Sequence, residues 1–274
     1  MILADAGYAA VLGLLLALYW RRMGSSAGGR KARIMLAGIL FVAFAYGVMV
    51  GGYFGVEPPK NSLLDKIAVI DVNNFAMMMR FSIVVGVLHI ALANAEVAWR
   101  RWGTWDSVES SAWIVVLLAG LMIWLAPTSA WYAVLAAGLV VVALAAGAEH
   151  PVKRPVDWLL RIAYGLLGAT HVTKLFGDIL SYMRLFALGL ASASLASTFN
   201  HLASEVGAAH PGFGVLFAIL ILVFGHLINI ALGILSGVVH GLRLNYIEFF
   251  GWALPGEGHP FKAFKRRNST SWKA

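Results

Sequence analysis

Two arginines stand deep inside long apolar stretches of this sequence, Arg184 in the run from Gly177 to Leu202 and Arg243 in the run from Phe213 to Phe250. An arginine near the centre of a bilayer costs roughly 2.5–3.5 kcal/mol even on lenient insertion scales, so such a residue is read first as a functional group. The two runs are consecutive and therefore antiparallel if both cross a membrane. A pair of fixed cations then suits a place where the counter-charge of a moving ion passes. Arginine does not relay a proton itself, because its pKa lies above about 12. In a low-dielectric site it instead favours ionisation of a nearby carboxylate. Asp178 lies one or two turns before Arg184 and Glu248 one turn beyond Arg243, both toward the cytoplasmic end. The anion that the arginines serve is therefore assigned to another subunit.

Polar residues accompany both arginines at helical spacing. His226, Asn229, Gly233, Ser236, His240 and Arg243 follow one another at intervals of three and four, which is one face of a helix. In so apolar a segment that face must meet a partner helix or a water-filled cavity. Gly233, Gly237 and Gly241 form a small-xxx-small ridge, which alone would indicate a tight helix pair. The other run carries Asp178, Ser181 and Arg184, followed by the small residues Ala187, Gly189, Ala191, Ser192, Ala193 and Ser194. With Arg184 about ten residues from the inner end of its helix and Arg243 about twelve before Pro255, both reach roughly 15–18 Å deep at ~1.5 Å per residue. Arg80, near an outer helix end, is placed to snorkel. His89, Asn94 and Glu96 on that helix suit helix–helix hydrogen bonding. His226 and His240 are too far apart along one helix to hold a metal, and no metal or cofactor site is read.

The elements that position these residues follow from composition. Sixty per cent of the 274 residues are hydrophobic and 12% are charged, the balance of an all-α polytopic membrane protein. There is no cysteine, which excludes disulfides, thiol chemistry and Cys-based metal sites. The net charge of +8 does not indicate a nucleic-acid partner, because the basic residues fall between apolar runs. They cluster as Arg21, Arg22, Arg30, Lys31 and Arg33; as Arg100 and Arg101; as Lys153, Arg154 and Arg161; and as Lys262, Lys265, Arg266 and Arg267. This positive-inside pattern sets the N-terminus outside and the C-terminus in the cytoplasm. The first apolar run has basic residues after it and none before it, unlike a signal peptide.

Seven spans are predicted: about Ile2–Trp20, Ile34–Phe54, Asn74–Trp99, Ala112–Ala126, Trp131–Gly147, Gly177–Leu202 and Phe213–Phe250. The loop 55–73, with Pro58 and Pro59, is placed outside, and the fourth and fifth spans form a hairpin about Pro127. The chain thus divides into a five-helix scaffold (1–148), a cytoplasmic or interfacial segment (149–176), a two-helix ion path (177–250) and a cytoplasmic tail (251–274). Residues 213–250 make roughly 57 Å of helix, about twice the bilayer core, so this span is expected to tilt strongly.

The stretch Gly177-Asp178-Ile179-Leu180-Ser181-Tyr182-Met183-Arg184-Leu185-Phe186-Ala187-Leu188-Gly189-Leu190-Ala191 resembles the penultimate helix of the stator membrane subunit of V-type and A-type ATPases, subunit a or I. Gly241-Leu242-Arg243-Leu244-Asn245-Tyr246-Ile247-Glu248-Phe249, with Gly256-Glu257-Gly258-His259-Pro260-Phe261, resembles that subunit's last helix and C-terminal signature. Asp5-Ala6-Gly7-Tyr8, Gly51-Gly52-Tyr53-Phe54-Gly55 and Gly86-Val87-Leu88-His89-Ile90 resemble the family in the same order.

The resemblance implies two long tilted helices facing a rotating proteolipid ring, with two offset half-channels for protons or sodium ions. Arg184 and Arg243 would separate the half-channels and discharge the ring carboxylates. His226, Asn229, Ser236 and His240 would line the outer path, and Asp178, Ser181 and Glu248 the inner one. Gly233, Gly237, Gly241 and Ala191 would meet the ring. The resemblance starts at what would be the family's second membrane helix, so a separate chain is expected to supply the first helix and the contact with the peripheral stalk. Ala4 stands in place of the family's usual glycine and Ala263 in place of a proline. No nucleotide loop is present, so the chain is expected to be a non-catalytic subunit of an ATP-driven or ATP-synthesising translocase in a prokaryotic plasma membrane. The competing readings are an assembly protein of the same fold without transport and a free-standing ion transporter.

Overall fold

The computed structural model describes residues 2–71, 74–148, 155–209 and 212–254. Lys153, Arg154 and the tail from Pro255, including the Gly256–Phe261 signature, lie outside the described residues. The order is α1 Ala6–Met23, α2 Ala27–Val50, α3 Leu63–Ile67, α4 Phe75–Arg100, α5 Trp105–Leu125, α6 Ser129–Ala148, α7 Pro155–Ala169, α8 His171–Ser181, α9 Met183–Ala209 and α10 Phe213–Arg243. A π-helical turn, Leu244–Phe249, then leads into α11, Phe250–Ala253. Among the described residues there is no strand, only an isolated bridge between Tyr53 and Val56.

Local chemistry sets the helix starts. The side chain of Asp5 accepts from the Tyr8 amide (3.1 Å), Ser26 from Gly29 (3.0 Å) and Asn74 from Met77 (3.0 Å), each satisfying an orphan donor of a first turn. The α2 helix ends at Gly51, which takes the left-handed conformation (φ 74°) of a glycine cap.

Six helical stretches among the described residues are long and apolar enough to cross a membrane. The chain is an all-α, multi-pass membrane protein. Of the seven predicted spans, α1 is the one not among these stretches, because Arg21 and Arg22 occupy its last turn. It nevertheless lies antiparallel to α2. The Ala6 amide donates to Gly52 at one end (2.8 Å), and Arg33 donates to the Trp20 carbonyl at the other (3.1 Å). Whatever α2 crosses, α1 crosses beside it.

Several elements differ from the sequence-based expectation. The α5 and α6 helices are 21 and 20 residues long, because α5 starts at Trp105, within polar sequence that hydropathy leaves out. The segment expected as cytoplasmic or interfacial holds α7, which runs back antiparallel along the second half of α6, with Gly147 beneath Arg161 and Gly165 beneath Ala143. The predicted sixth span breaks at Tyr182 into α8 and α9, so Asp178 and Ser181 belong to a different helix from Arg184. The predicted seventh span runs on to Ala253 and changes its winding immediately after Arg243.

One core joins α4, α5, α6, α8 and the π turn through Val87, Ile90, Trp113, Val116, Leu117, Val142, Leu175, Tyr182 and Leu244. A smaller core holds Ala4, Tyr46, Val50, Ile70 and Met78. The outward faces are large apolar side chains, as a lipid-embedded bundle requires.

Candidate functional site

The α9 and α10 helices pack against each other along their length. Their register is antiparallel: Ser192 meets Asn229, Asn200 meets His226, and Phe199 lies under Gly225. Continued inward, this register sets Arg184 level with residues 237–242, within a turn of Arg243. Ser181 bonded to Glu248 brackets that level from the other side.

Toward the N-terminal end of α1, the side expected to be outer, the polar residues form one web. Asn200 donates from Nδ2 to the Phe54 carbonyl (2.7 Å), which leaves its Oδ1 as an acceptor for His226 Nε2 (3.1 Å). The proton of His226 is therefore on Nε2, and Nδ1 accepts from the Tyr8 hydroxyl (2.7 Å). The Tyr8 oxygen accepts from Asn229 Nδ2 (3.0 Å), which also donates to the Ser192 carbonyl (2.8 Å). Ser192 Oγ completes the web by donating to Asn229 Oδ1 (3.1 Å). Tyr8 and Asn229 are each only 1% exposed.

Beside this web opens a cavity of about 760 Å³. Its walls include Asp5, Glu57, Asp65, Asp71, Lys60, Gly189, Ser192, Ser194, Ser197 and Thr198. Asp5 Oδ2 accepts from the Gly55 amide (3.0 Å), tying α1 to the loop after α2. That loop presses on α9: Gly55 has φ 72°, and a Cβ on it would lie 2.5 Å from the Cβ of Ala196. The cavity reaches Gly189, about 7.5 Å along α9 from Arg184 at ~1.5 Å per residue.

A second web lies toward the opposite end, the side expected to be inner. Ser181 Oγ donates to Glu248 Oε1 (2.5 Å), which is 3.9 Å from Arg243 Nε. Glu248 is 2% exposed and is carried inward by the π turn, a form of helix often found at functional sites. Trp252 donates to Asp178 Oδ2 (2.7 Å), while Lys174 bonds the Gly251 carbonyl (3.2 Å) and lies over the Trp252 ring. A cavity of about 320 Å³ adjoins, walled by Asn94, Arg101, Asp106, Glu109, His171, Lys174 and Trp252.

Between the webs, partners run out. Arg184 Nη1 and His240 Nδ1 are buried without a hydrogen-bond partner, as is Glu248 Oε2 at the edge of the inner web; Arg33, Tyr46, Tyr53 and Ser82 carry such atoms elsewhere among the described residues. No ion pair to Arg184 is found among the described residues, and the Arg243 side chain is half exposed. Buried polar atoms are paired in the great majority of cases, so the unpartnered atoms of Arg184 and His240, at one level of facing helices, mark a place where a further partner fits.

The sequence is 30% identical, over a gapped alignment of 303 positions, to the A-type ATP synthase subunit I of Methanocaldococcus jannaschii, covering 97% of this chain and 43% of that protein. The corresponding protein of Methanothermobacter thermautotrophicus is 29% identical, over 98% of this chain and 40% of its own length. The V-type ATP synthase subunit I of Chlamydia trachomatis is 44% identical over a shorter region, 36% of this chain and 14% of that protein. This chain belongs to the subunit I family. It spans less than half the length of the curated relatives it matches. No family model matches it.

Within this subunit I chain the predicted site residues divide. His226 and Asn229 join the outer web; Asp178, Ser181 and Glu248 join the inner one. Ser236 and His240, expected on the outer path, lie outside the outer web, nearer the arginines. Gly233 is not open for a ring: it is buried, and a Cβ there would lie 3.1 Å from the Leu3 side chain. Gly237 and Gly241 have open space before them, and Ala191 is exposed. Sequence reasoning missed Tyr8, Asn200, Lys174 and Trp252 as members of the webs. Tyr8 closes the quoted Asp5–Tyr8 motif, and Asn200 falls eight residues after Ser192 on the same helix face; both are signals a search for polar positions would have found.

Proposed function

We propose that this chain is the ion-translocating membrane part of a rotary ATPase or ATP synthase, working against a proteolipid ring. The observation that carries the reading is the layering along α9 and α10. Two hydrogen-bonded polar webs, each beside a cavity, are separated by a level that holds two arginines and the unpartnered polar atoms of Arg184 and His240. Ions would enter from one cavity, board a ring carboxylate, and leave through the other after rotation. Arg184, and beside it Arg243, would hold each arriving carboxylate in its charged form and so release its ion. A fixed guanidinium also blocks the direct path between the webs, since another cation meets like-charge repulsion there. His226, Asn229, Ser236 and His240 would serve the outer half, Asp178, Ser181 and Glu248 the inner half. Gly237, Gly241 and Ala191 would let ring helices come close. The chain would lie in a prokaryotic plasma membrane with its N-terminus outside.

The test is Arg184→Ala in the assembled complex. ATP-driven ion uptake into vesicles should fall at least ~100-fold, equivalent to about 2.7 kcal/mol of lost stabilisation, with the complex still assembled. Uptake at the wild-type rate would leave the assembly-protein reading in its place.

A further inference from the structure

His89 touches both arginine-bearing segments. It projects from α4, which packs on α8, α9, the π turn and α11. Its Nδ1 is 2.6 Å from the Tyr182 hydroxyl. Its ring stacks on Phe249, with centroids 4.7 Å apart and planes 24° from parallel.

Both contacts fall where helix continuity does not fix direction. Tyr182 is the joint between α8 and α9, two residues before Arg184. Its amide donates to Ile179 (3.1 Å) and its carbonyl accepts from Leu185 (3.0 Å), the tighter pattern of a helix being restarted. Arg184 lies in the first turn of α9, so its direction relative to α8 depends on this joint. Phe249 ends the π turn, next to Glu248, whose carboxylate lies 3.9 Å from Arg243. A π turn holds more residues than an α turn, so the facing of Arg243 and Glu248 depends on what holds the turn in place. The Tyr182 ring is 1% exposed and rests on Gly86, where a Cβ would lie 2.8 Å from two of its ring carbons. Position 86 admits the ring, and His89, one turn on, bonds its hydroxyl.

We propose that His89 is a positioning residue for ion transfer: by holding Tyr182 and Phe249 together it sets Arg184 and Arg243 in one alignment toward the passing carboxylate. This rests on the translocation reading above. His89 touches no ion in this scheme; it acts through the joint and the turn. Losing it frees the two segments to rotate separately. Arrival of the ring carboxylate and release of its ion then fall out of step, and ATP is hydrolysed without an ion being moved.

The experiment measures ions moved per ATP hydrolysed, together with the amount of assembled complex, in reconstituted vesicles. Tyr182→Phe removes one hydroxyl and keeps the buried ring. His89→Ala removes both contacts. His89→Asn carries an amide near the position of Nδ1 and can serve the Tyr182 hydroxyl. The proposal expects Tyr182→Phe and His89→Ala to lower the ion-to-ATP ratio several-fold in fully assembled complexes, with His89→Asn restoring more than half of it. A wild-type ratio in Tyr182→Phe and His89→Ala overturns the proposal. So does loss of complex with a normal ratio in whatever remains, the mark of a purely structural role. Arg184→Ala in the same preparation separates the two ideas. If it stops transport while the His89 variants pump at the full ratio, only the positioning role fails. If it pumps normally, the translocation reading fails and the proposal with it.

Discussion

Asn229 makes three hydrogen bonds with one amide, and each goes to a different kind of group: a tyrosine hydroxyl on α1, a backbone carbonyl on α9 and a serine hydroxyl. Removing a buried amide leaves partners with neither water nor protein to bond, at a cost of about 1–3 kcal/mol. Asn229→Ala is therefore expected to lower the thermal unfolding temperature of the purified complex, followed by tryptophan fluorescence. Ser236→Ala, on the same helix face but outside the web, should change stability by less than about 0.5 kcal/mol. Equal shifts for the two would mean that the web contributes nothing to the fold. The contrast also bears on what could be read in advance. The three-and-four spacing put His226, Asn229, Ser236, His240 and Arg243 on one face, and face membership is all that spacing encodes. Which of them join a web depends on Tyr8, Ser192 and Asn200, more than 20 residues away in sequence, and a periodicity within one helix contains no information about its neighbours.

At the scale of elements, the α10 helix was legible as a single apolar run, and α9 nearly so. The break at Tyr182 and the π turn after Arg243 were not. Neither contains a proline, and both carry tertiary contacts that a single run of sequence does not reveal, His89 on the first and the Ser181–Glu248 bond on the second. The α5 start was lost for a different reason: Ser107, Ser110 and Ser111 depress hydropathy, yet Ser107 bonds the Ala98 carbonyl and Ser111 the Ser107 carbonyl, so the helix loses nothing by carrying them. The glycine-rich loop after α2 is clearer in structure than in sequence. Gly55 combines a left-handed backbone with contact against α9, and either feature alone disfavours a side chain. Gly55→Ala should cost roughly 1–3 kcal/mol through strain and displacement of the loop from α9. It should also slow ion uptake from the outer side, since that loop walls the outer cavity. Normal thermal stability in Gly55→Ala would show that the loop yields freely and does not clasp α9.

The molecule as a whole offers an unusually direct test of its orientation, because it has no cysteine of its own. Residues 24–26 and the loop holding Lys60 lie at opposite ends of α2, which is long and apolar enough to cross. The cation-rich end, with Arg21, Arg22, Arg30, Lys31 and Arg33, should face the cytoplasm. Ser25→Cys should then resist a membrane-impermeant maleimide on intact cells and react after permeabilisation. Lys60→Cys, on the wall of the outer cavity, should react in both. The same pair reports on α1. Since the Asp5 end of α1 bonds Gly52 and Gly55, a cysteine replacing Leu3 should share the side of Lys60. It should nevertheless label slowly, because Leu3 lies against Gly233. The reverse pattern, Ser25→Cys labelled from outside and Lys60→Cys protected, would exchange the two half-channels. Asp178, Ser181 and Glu248 would then become the external path, and His226 and Asn229 the cytoplasmic one.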